Sequence, residues 1–407
     1  MHVRPFNLTL PALLLALTAG LTLTAAGYER DPASTAAGSP NDSLQQEVNA
    51  IWQAGAVSAL AEVATPQGRR DAHAGTADID TGQQVPASAE FRIGSATKTF
   101  VATVILQLAE ERRLSLDDTV ARWLPGVVVG NGNDGTRITI RELLGHTSGI
   151  YDYTNDLPQM TDATAFREDR FRTYTPQQLV ALAMLHPPTN QPGTGFAYSD
   201  TDYILAGMII QRVTGHSWAD EINARIIRPL GLRHTITPGT YPLLTGPHAE
   251  GYADFGTDTP IDVTAFDPSA ADASGSIVST ADDLARFYTA LIGGRLLPPA
   301  QLTAMETTAP APELGPGVRY GLGLGWIPLS CGGGYFGHPG GIFGYQTWDG
   351  VTTNARRTAV VSVTGDGNAR TQQAITTLVD NELCGREITA PSPNHTPADA
   401  ITTDSTI

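Results

Sequence analysis

One lysine stands in a chain that otherwise uses arginine: of 25 basic residues, 24 are Arg and one is Lys98. Three residues before it is Ser95. Positions i and i+3 share a helix face, so the Ser95 hydroxyl and the Lys98 ammonium can meet. A free serine hydroxyl is a weak nucleophile and needs a neighbouring base or cation. Arginine stays protonated, whereas lysine can give up its proton when its surroundings favour the amine. A single lysine kept at this spacing therefore points to nucleophilic catalysis more than to a surface charge beside a capping serine. A helix start at Ser95 would add N–H groups and positive potential where an acyl oxyanion forms.

Two further segments carry candidate chemistry. Pro192-Gly193-Thr194-Gly195-Phe196-Ala197-Tyr198-Ser199-Asp200 is a turn that delivers a tyrosine beside a polar pair. A phenol held near a lysine cation shifts toward phenolate and can serve as general base. Taken alone, it reads as a packed loop tyrosine. Gly337-His338-Pro339-Gly340-Gly341 follows a glycine-rich strand pattern. Glycines there let a substrate main chain lie along a strand edge. The Gly341 N–H could complete an oxyanion hole with the Ser95 N–H. Taken alone, His338 reads as a structural turn histidine.

Together, Ser95/Lys98, Tyr198/Asp200 and His338/Gly340 resemble the Ser-x-x-Lys, Tyr-x-Asn and (Lys/His)-x-Gly motifs of the serine penicillin-recognising enzymes, from about Gln45 to Gly385. That family includes DD-peptidases, class C β-lactamases and related esterases. The likeness is closest to secreted actinomycete D-alanyl-D-alanine carboxypeptidases, supported by Phe91-Arg92-Ile93-Gly94-Ser95, His146-Thr147-Ser148-Gly149, Tyr151 to Asp156, Thr214-Gly215-His216-Ser217, and Cys331 with its late partner Cys384. It implies an antiparallel sheet flanked by helices with an inserted helical domain. It also implies acylation of Ser95 by peptidoglycan-type stem peptides, other small acyl substrates or β-lactams, with Lys98 and Tyr198 sharing proton transfer and Asp200, His338, Gly340 and Gly341 in supporting or substrate-binding places. No cofactor or metal is implied. Three positions depart from the pattern. Asp200 replaces the family's Asn, and a carboxylate accepts but cannot donate. Pro339 and Gly341 stand where a Thr is usual. Gly325 aligns with an arginine that clamps the substrate's terminal carboxylate. The leading reading is a carboxypeptidase-like serine hydrolase. The alternatives are an esterase or D-amino-acid amidase or aminopeptidase, and a non-catalytic penicillin- or muropeptide-binding protein, which the complete Ser/Lys/Tyr set disfavours. The chain has no Gly-x-Ser-x-Gly elbow and no His-Glu-x-x-His pair, which sets aside an α/β-hydrolase and a zincin.

The elements that must position these residues follow from periodicity. Leu44 to Trp52 reads as a helix and Val57 to Val63 as a strand, followed by a turn region. Phe91 to Leu114 is the clearest helical run, with Val101, Val104, Ile105 and Leu108 at 3.6 spacing. Gln177 to Met184, Thr201 to Thr214 and Ala219 to Ile227 read as helices, and Thr280 caps another over Ala281 to Leu291. Leu322 to Ile327, Gly334 to Gly337, Gly344 to Asp349 and Thr358 to Thr364 read as antiparallel strands, and Gln372 to Leu383 as a last helix. The fold class expected is α/β, with residues 44–116 and 266–386 forming one domain and 117–265 a helical insert.

Composition bounds the rest. Over 407 residues, 41% are hydrophobic and 16% charged, which suits a folded core and excludes global disorder. A net charge of −16 disfavours nucleic acid and anionic lipid as partners. Residues 1–26 combine Arg4, an apolar Leu8 to Leu23 and small residues at Thr24-Ala25-Ala26, which reads as a secretory signal and predicts a secreted protein without a stable membrane anchor. An oxidising compartment then favours a Cys331–Cys384 disulfide. Residues 27–43 read as a linker and 387–407 as a disordered tail.

Overall fold

A computed structural model describes residues 40–257 and 259–386; the signal and the tail expected above lie outside the described residues, as does most of the linker. The framework is a nine-stranded antiparallel sheet. At its centre Ser58–Thr65 pairs with Thr358–Thr364, Ser58 opposite Thr364 and Ala64 opposite Thr358. Early and late sequence therefore meet in one sheet. Every residue of Thr358–Thr364 is buried, as befits a strand covered on both faces.

Alternate residues of a strand face opposite sides, and the two faces carry separate apolar clusters. Ala59, Ala61, Val63, Val361 and Val363 pack against Leu44, Val48, Ile375 and Leu378 of the Pro40–Gln53 and Ala369–Cys384 helices. Leu60, Val351 and Val360 face the larger cluster, which takes in the Ala281–Ile292 helix and, behind it, Thr97–Glu110. Phe100 and Phe287 stack at 3.6 Å between ring centres across those two helices. Thr97 through Leu106 is buried without a break; a helix apolar on all sides belongs in an interior. The Asp200–Thr214 helix, buried from Thr201 to Ile210, joins the same cluster. The helix-rich middle of the chain and the sheet therefore share one core.

Several elements differ from the sequence reading. The run from Phe91 is not one helix. Phe91–Arg92 is a short strand paired with Val278–Ser279, a tight turn spans Gly94–Ala96, and the α-helix is Thr97–Glu110. Gly94 makes the break: its φ is +52°, and a Cβ there would lie 2.6 Å from Gly341 N. The stretch read as turns after Val63 contains a strand, Gly68–Gly75, on the sheet edge. Its Arg69, Arg70 and Asp71 give it the charge of an edge that must not pair further, which hides the strand pattern. Within the expected linker, Pro40 already opens the first helix, with Asp42 in its first turn. Among the described residues no helix is long and apolar enough to cross a membrane.

Cys331 and Cys384 are bonded, tying the loop before Gly334–Gly337 to the end of the last described helix. The bond closes a loop with a sequence separation of 53, which the chain-entropy model values at about 4 kcal/mol. Cys331→Ser/Cys384→Ser is expected to lower the urea-unfolding free energy by up to that amount. An unchanged midpoint would mean that the sheet and helix close this loop without the bond.

Candidate active site

Lys98 lies in the first turn of the buried helix and has no exposed surface. Its ammonium donates to Ser95 Oγ at 2.9 Å, to the Ser274 carbonyl at 2.9 Å and to Asp200 Oδ1. An ammonium has three N–H groups, so each has an acceptor, which is what makes a buried charge tolerable. The acceptors come from three places: the turn before Lys98, the start of the Asp200–Thr214 helix, and the short Asp272–Gly275 helix. Asp200 is partly open to solvent, at 19% of its side chain. Among the described residues no donor reaches its second oxygen.

Tyr198 ends the turn that precedes Asp200. The Lys98 Nζ lies 4.9 Å from its ring centre, and its hydroxyl lies close enough to the Ser95 side chain to interact with it. Burial, then the Asp200 carboxylate, push this phenol well above the ordinary tyrosine range. Ser95 Oγ thus sits between an ammonium and a neutral phenol. The Gly340–Ile342 strand crosses the Gly94–Ala96 turn closely: a Cβ on Gly340 would meet Ile93 O at 1.9 Å and Ser95 N at 3.1 Å. Gly341 borders the cleft beside Ser95, while Gly340 serves the close approach of the two main chains.

His338 stands behind this strand, 3% exposed. Its Nδ1–H donates to Pro339 O at 2.9 Å, and its Nε2 accepts the Tyr320 hydroxyl at 2.8 Å. Burial, helped by the Lys98 charge, lowers its pKa to about 3, so the ring is neutral. Its main-chain N–H donates to Asp349 Oδ1 at 2.6 Å. His338 therefore supports the strand and lies outside the cleft lining.

A narrow cleft opens beside Ser95. Phe266, Ile342, Phe343 and Met160 make it apolar, and Asp200 is its charged member. Neither arginine nor Lys98 is among its lining residues. Asp152 lies nearby; burial first, then Asp200, raise its pKa to about 6. Glu313 Oε2 accepts the Tyr198 N–H at 3.4 Å. Gly325 cannot be replaced by a carboxylate-binding arginine without movement, since its Cβ would lie 3.1 Å from Gly337 O. Arg319, the preceding arginine, is tied to Thr308.

Sequence reasoning missed Ser274 and Tyr320, and it named Asp152 within the Tyr151 to Asp156 segment without a role at the site. Ser274 contributes a carbonyl, which any residue type supplies, so no residue signal marks it. Tyr320 precedes Gly321-Leu322-Gly323 on the next strand but one from His338, a pairing visible only in register.

A model of the beta-lactamase family matches residues 44–382, and the chain belongs to that family. Penicillin-binding protein 4 of Amycolatopsis lactamdurans is 31% identical over 279 residues, which is 65% of this chain and 70% of that protein. Among solved structures, a D-stereospecific amidohydrolase from Streptomyces sp. is similar with a TM-score of 0.78 and 40% identity, over 85% of this chain and 99% of that one. The D-amino acid amidase of Ochrobactrum anthropi SV3 is similar with a TM-score of 0.73 and 27% identity, over 84% of this chain and 99% of the other.

A catalytic lysine and a structural cation differ in what a substitution does. Lys98→Arg keeps the charge, but a planar guanidinium cannot fit three acceptors spaced for an ammonium. Acylation of Ser95 is expected to fall about a thousandfold or more, and Tyr198→Phe should slow it by about a hundredfold or more. Stopped-flow acylation with a chromogenic ester measures both. Near-normal rates in Lys98→Arg would make the lysine a structural cation.

Proposed function

We propose that this serine hydrolase cleaves amides or short peptides of D-amino acids that carry a free α-ammonium, rather than the terminal D-Ala-D-Ala bond of peptidoglycan stem peptides. The observation that carries this reading is the charge of the cleft. Among the described residues, Asp200 offers a carboxylate oxygen without a hydrogen-bond partner beside Ser95, and no guanidinium lines the site. A substrate carboxylate would meet like charge there, whereas an ammonium would complete the pairing. Similarity to the Streptomyces amidohydrolase and to the Ochrobactrum amidase supports D-configured substrates, and the apolar lining suits an apolar side chain. The signal pattern at residues 1–26 and the disulfide favour a secreted enzyme.

In this mechanism Ser95 Oγ attacks the substrate carbonyl, and the Ser95 and Gly341 N–H groups hold the developing oxyanion. Tyr198 need not ionise: it takes the Ser95 proton as it passes its own to the leaving nitrogen. The Lys98 ammonium stabilises negative charge on both oxygens while they exchange protons. Water then releases the acyl group by the reverse relay.

A charged hydrogen bond contributes about 1.5–3 kcal/mol, or about 10- to 150-fold in kcat/KM. The enzyme is therefore expected to prefer a D-amino-acid p-nitroanilide over its N-acetyl form by that factor, and Asp200→Asn to abolish the preference. Because Asp200 also holds Lys98, the ratio of the two substrates is the measurement. Faster cleavage of an N-acylated D-Ala-D-Ala peptide than of the free amine would overturn the reading in favour of a carboxypeptidase.

A further inference from the structure

We infer that His146 is the positioning residue for Tyr198, gripping the residues on both sides of it and packing against its ring. The Ala197 N–H donates to the His146 carbonyl at 2.8 Å. The Ser199 N–H donates to His146 Nδ1 at 3.3 Å. The His146 and Tyr198 ring centres are 4.3 Å apart. Tyr198 is thus fixed at three points by one residue that is not itself part of the cleft lining.

The histidine is itself held. Its backbone adopts φ +52°, which turns its carbonyl and its ring toward the same loop; such a conformation is uncommon without glycine. Asp202 Oδ2 lies 3.1 Å from Nδ1, and Asp202 Oδ1 accepts the Ser148 hydroxyl at 2.5 Å. The first turn of the Asp200–Thr214 helix therefore carries two carboxyl side chains with separate tasks. Asp200 holds Lys98, and Asp202 holds His146, with Tyr198 placed between their partners. Burial lowers the pKa of His146 and raises that of Asp202, so the ring is held neutral and is no proton carrier.

One feature argues against simple filling of space. Among the described residues, His146 Nε2 is buried without a hydrogen-bond partner, among the rings of Tyr203 and Tyr320 as well as Tyr198. An unsatisfied buried polar atom is destabilising, and an apolar side chain of this size would avoid it. The ring's other nitrogen, which receives the Ser199 N–H, accounts for a histidine here.

The inference rests on Tyr198 relaying protons but not on the choice of substrate, so it is tested with a chromogenic ester in single-turnover acylation. A misplacement of about 1 Å costs about a hundredfold. His146→Leu is expected to slow acylation by that factor with little change in KM. His146→Asn, which returns an acceptor near the Nδ1 position and tolerates the left-handed backbone, should recover most of it. In the Tyr198→Phe background, His146→Leu should cost little more. Should the leucine variant not fold, Asp202→Ala, which frees the ring but leaves it present, is expected to show the same Tyr198-dependent loss. Wild-type acylation in folded His146→Leu or Asp202→Ala, or a loss that adds fully to that of Tyr198→Phe, overturns the inference. A Tyr198→Phe enzyme of normal rate overturns both it and the relay, whatever the substrate preference.

Discussion

A single ammonium buried in the first turn of an interior helix is the constraint around which this molecule is organised. The Thr97–Glu110 helix is buried from Thr97 through Leu106 and Lys98 has no exposed surface, so it needs every N–H matched from within the protein. Those acceptors lie 102 and 176 residues further along the chain, and three residues back. Each can be present only when the helix-rich middle of the chain, the Asp272–Gly275 turn and the Gly94–Ala96 turn are docked together. The shared apolar core that docks them is thus also what makes the lysine's position affordable. Ser95 inherits its place from the same arrangement, because its Oγ is one of the three acceptors.

The charge balance around that lysine shapes the chemistry available. Asp200 and burial together keep Tyr198 a phenol, so a mechanism that begins from phenolate is disfavoured and a relay through the neutral hydroxyl is favoured. Placing the carboxylate at the mouth of an apolar cleft also sets the sign of charge that a substrate can bring. His338, neutral and behind the strand, adds no compensating charge. The acidic character of the site thus comes from what is lacking at Gly325 as much as from what is present at Asp200.

Much of this was legible in the residues, for reasons of range. Ser95 and Lys98 are close in sequence, so their meeting needs only helical geometry. Tyr198 and Asp200 were marked by residue type in a turn, and the strands Gly334–Gly337 and Thr358–Thr364 by strand-forming residues between glycine turns. What was hidden lies in the third dimension. Apolar periodicity continues across Gly94, so the break between strand, turn and helix is invisible until Gly341 is seen pressed against it. The Gly68–Gly75 strand is charged because it is an edge, which erases the pattern that identifies central strands. His338 could be found by motif, but which side of the strand it occupies depends on Tyr320, two strands away.

The most direct measurement is the mass of the enzyme quenched during turnover of an activated D-amino-acid ester, followed by peptide mapping. The account predicts a covalent acyl increment confined to the peptide containing Ser95, with none in Ser95→Ala and no residual hydrolysis by that variant. An increment on another residue, or turnover that persists in Ser95→Ala, would contradict it.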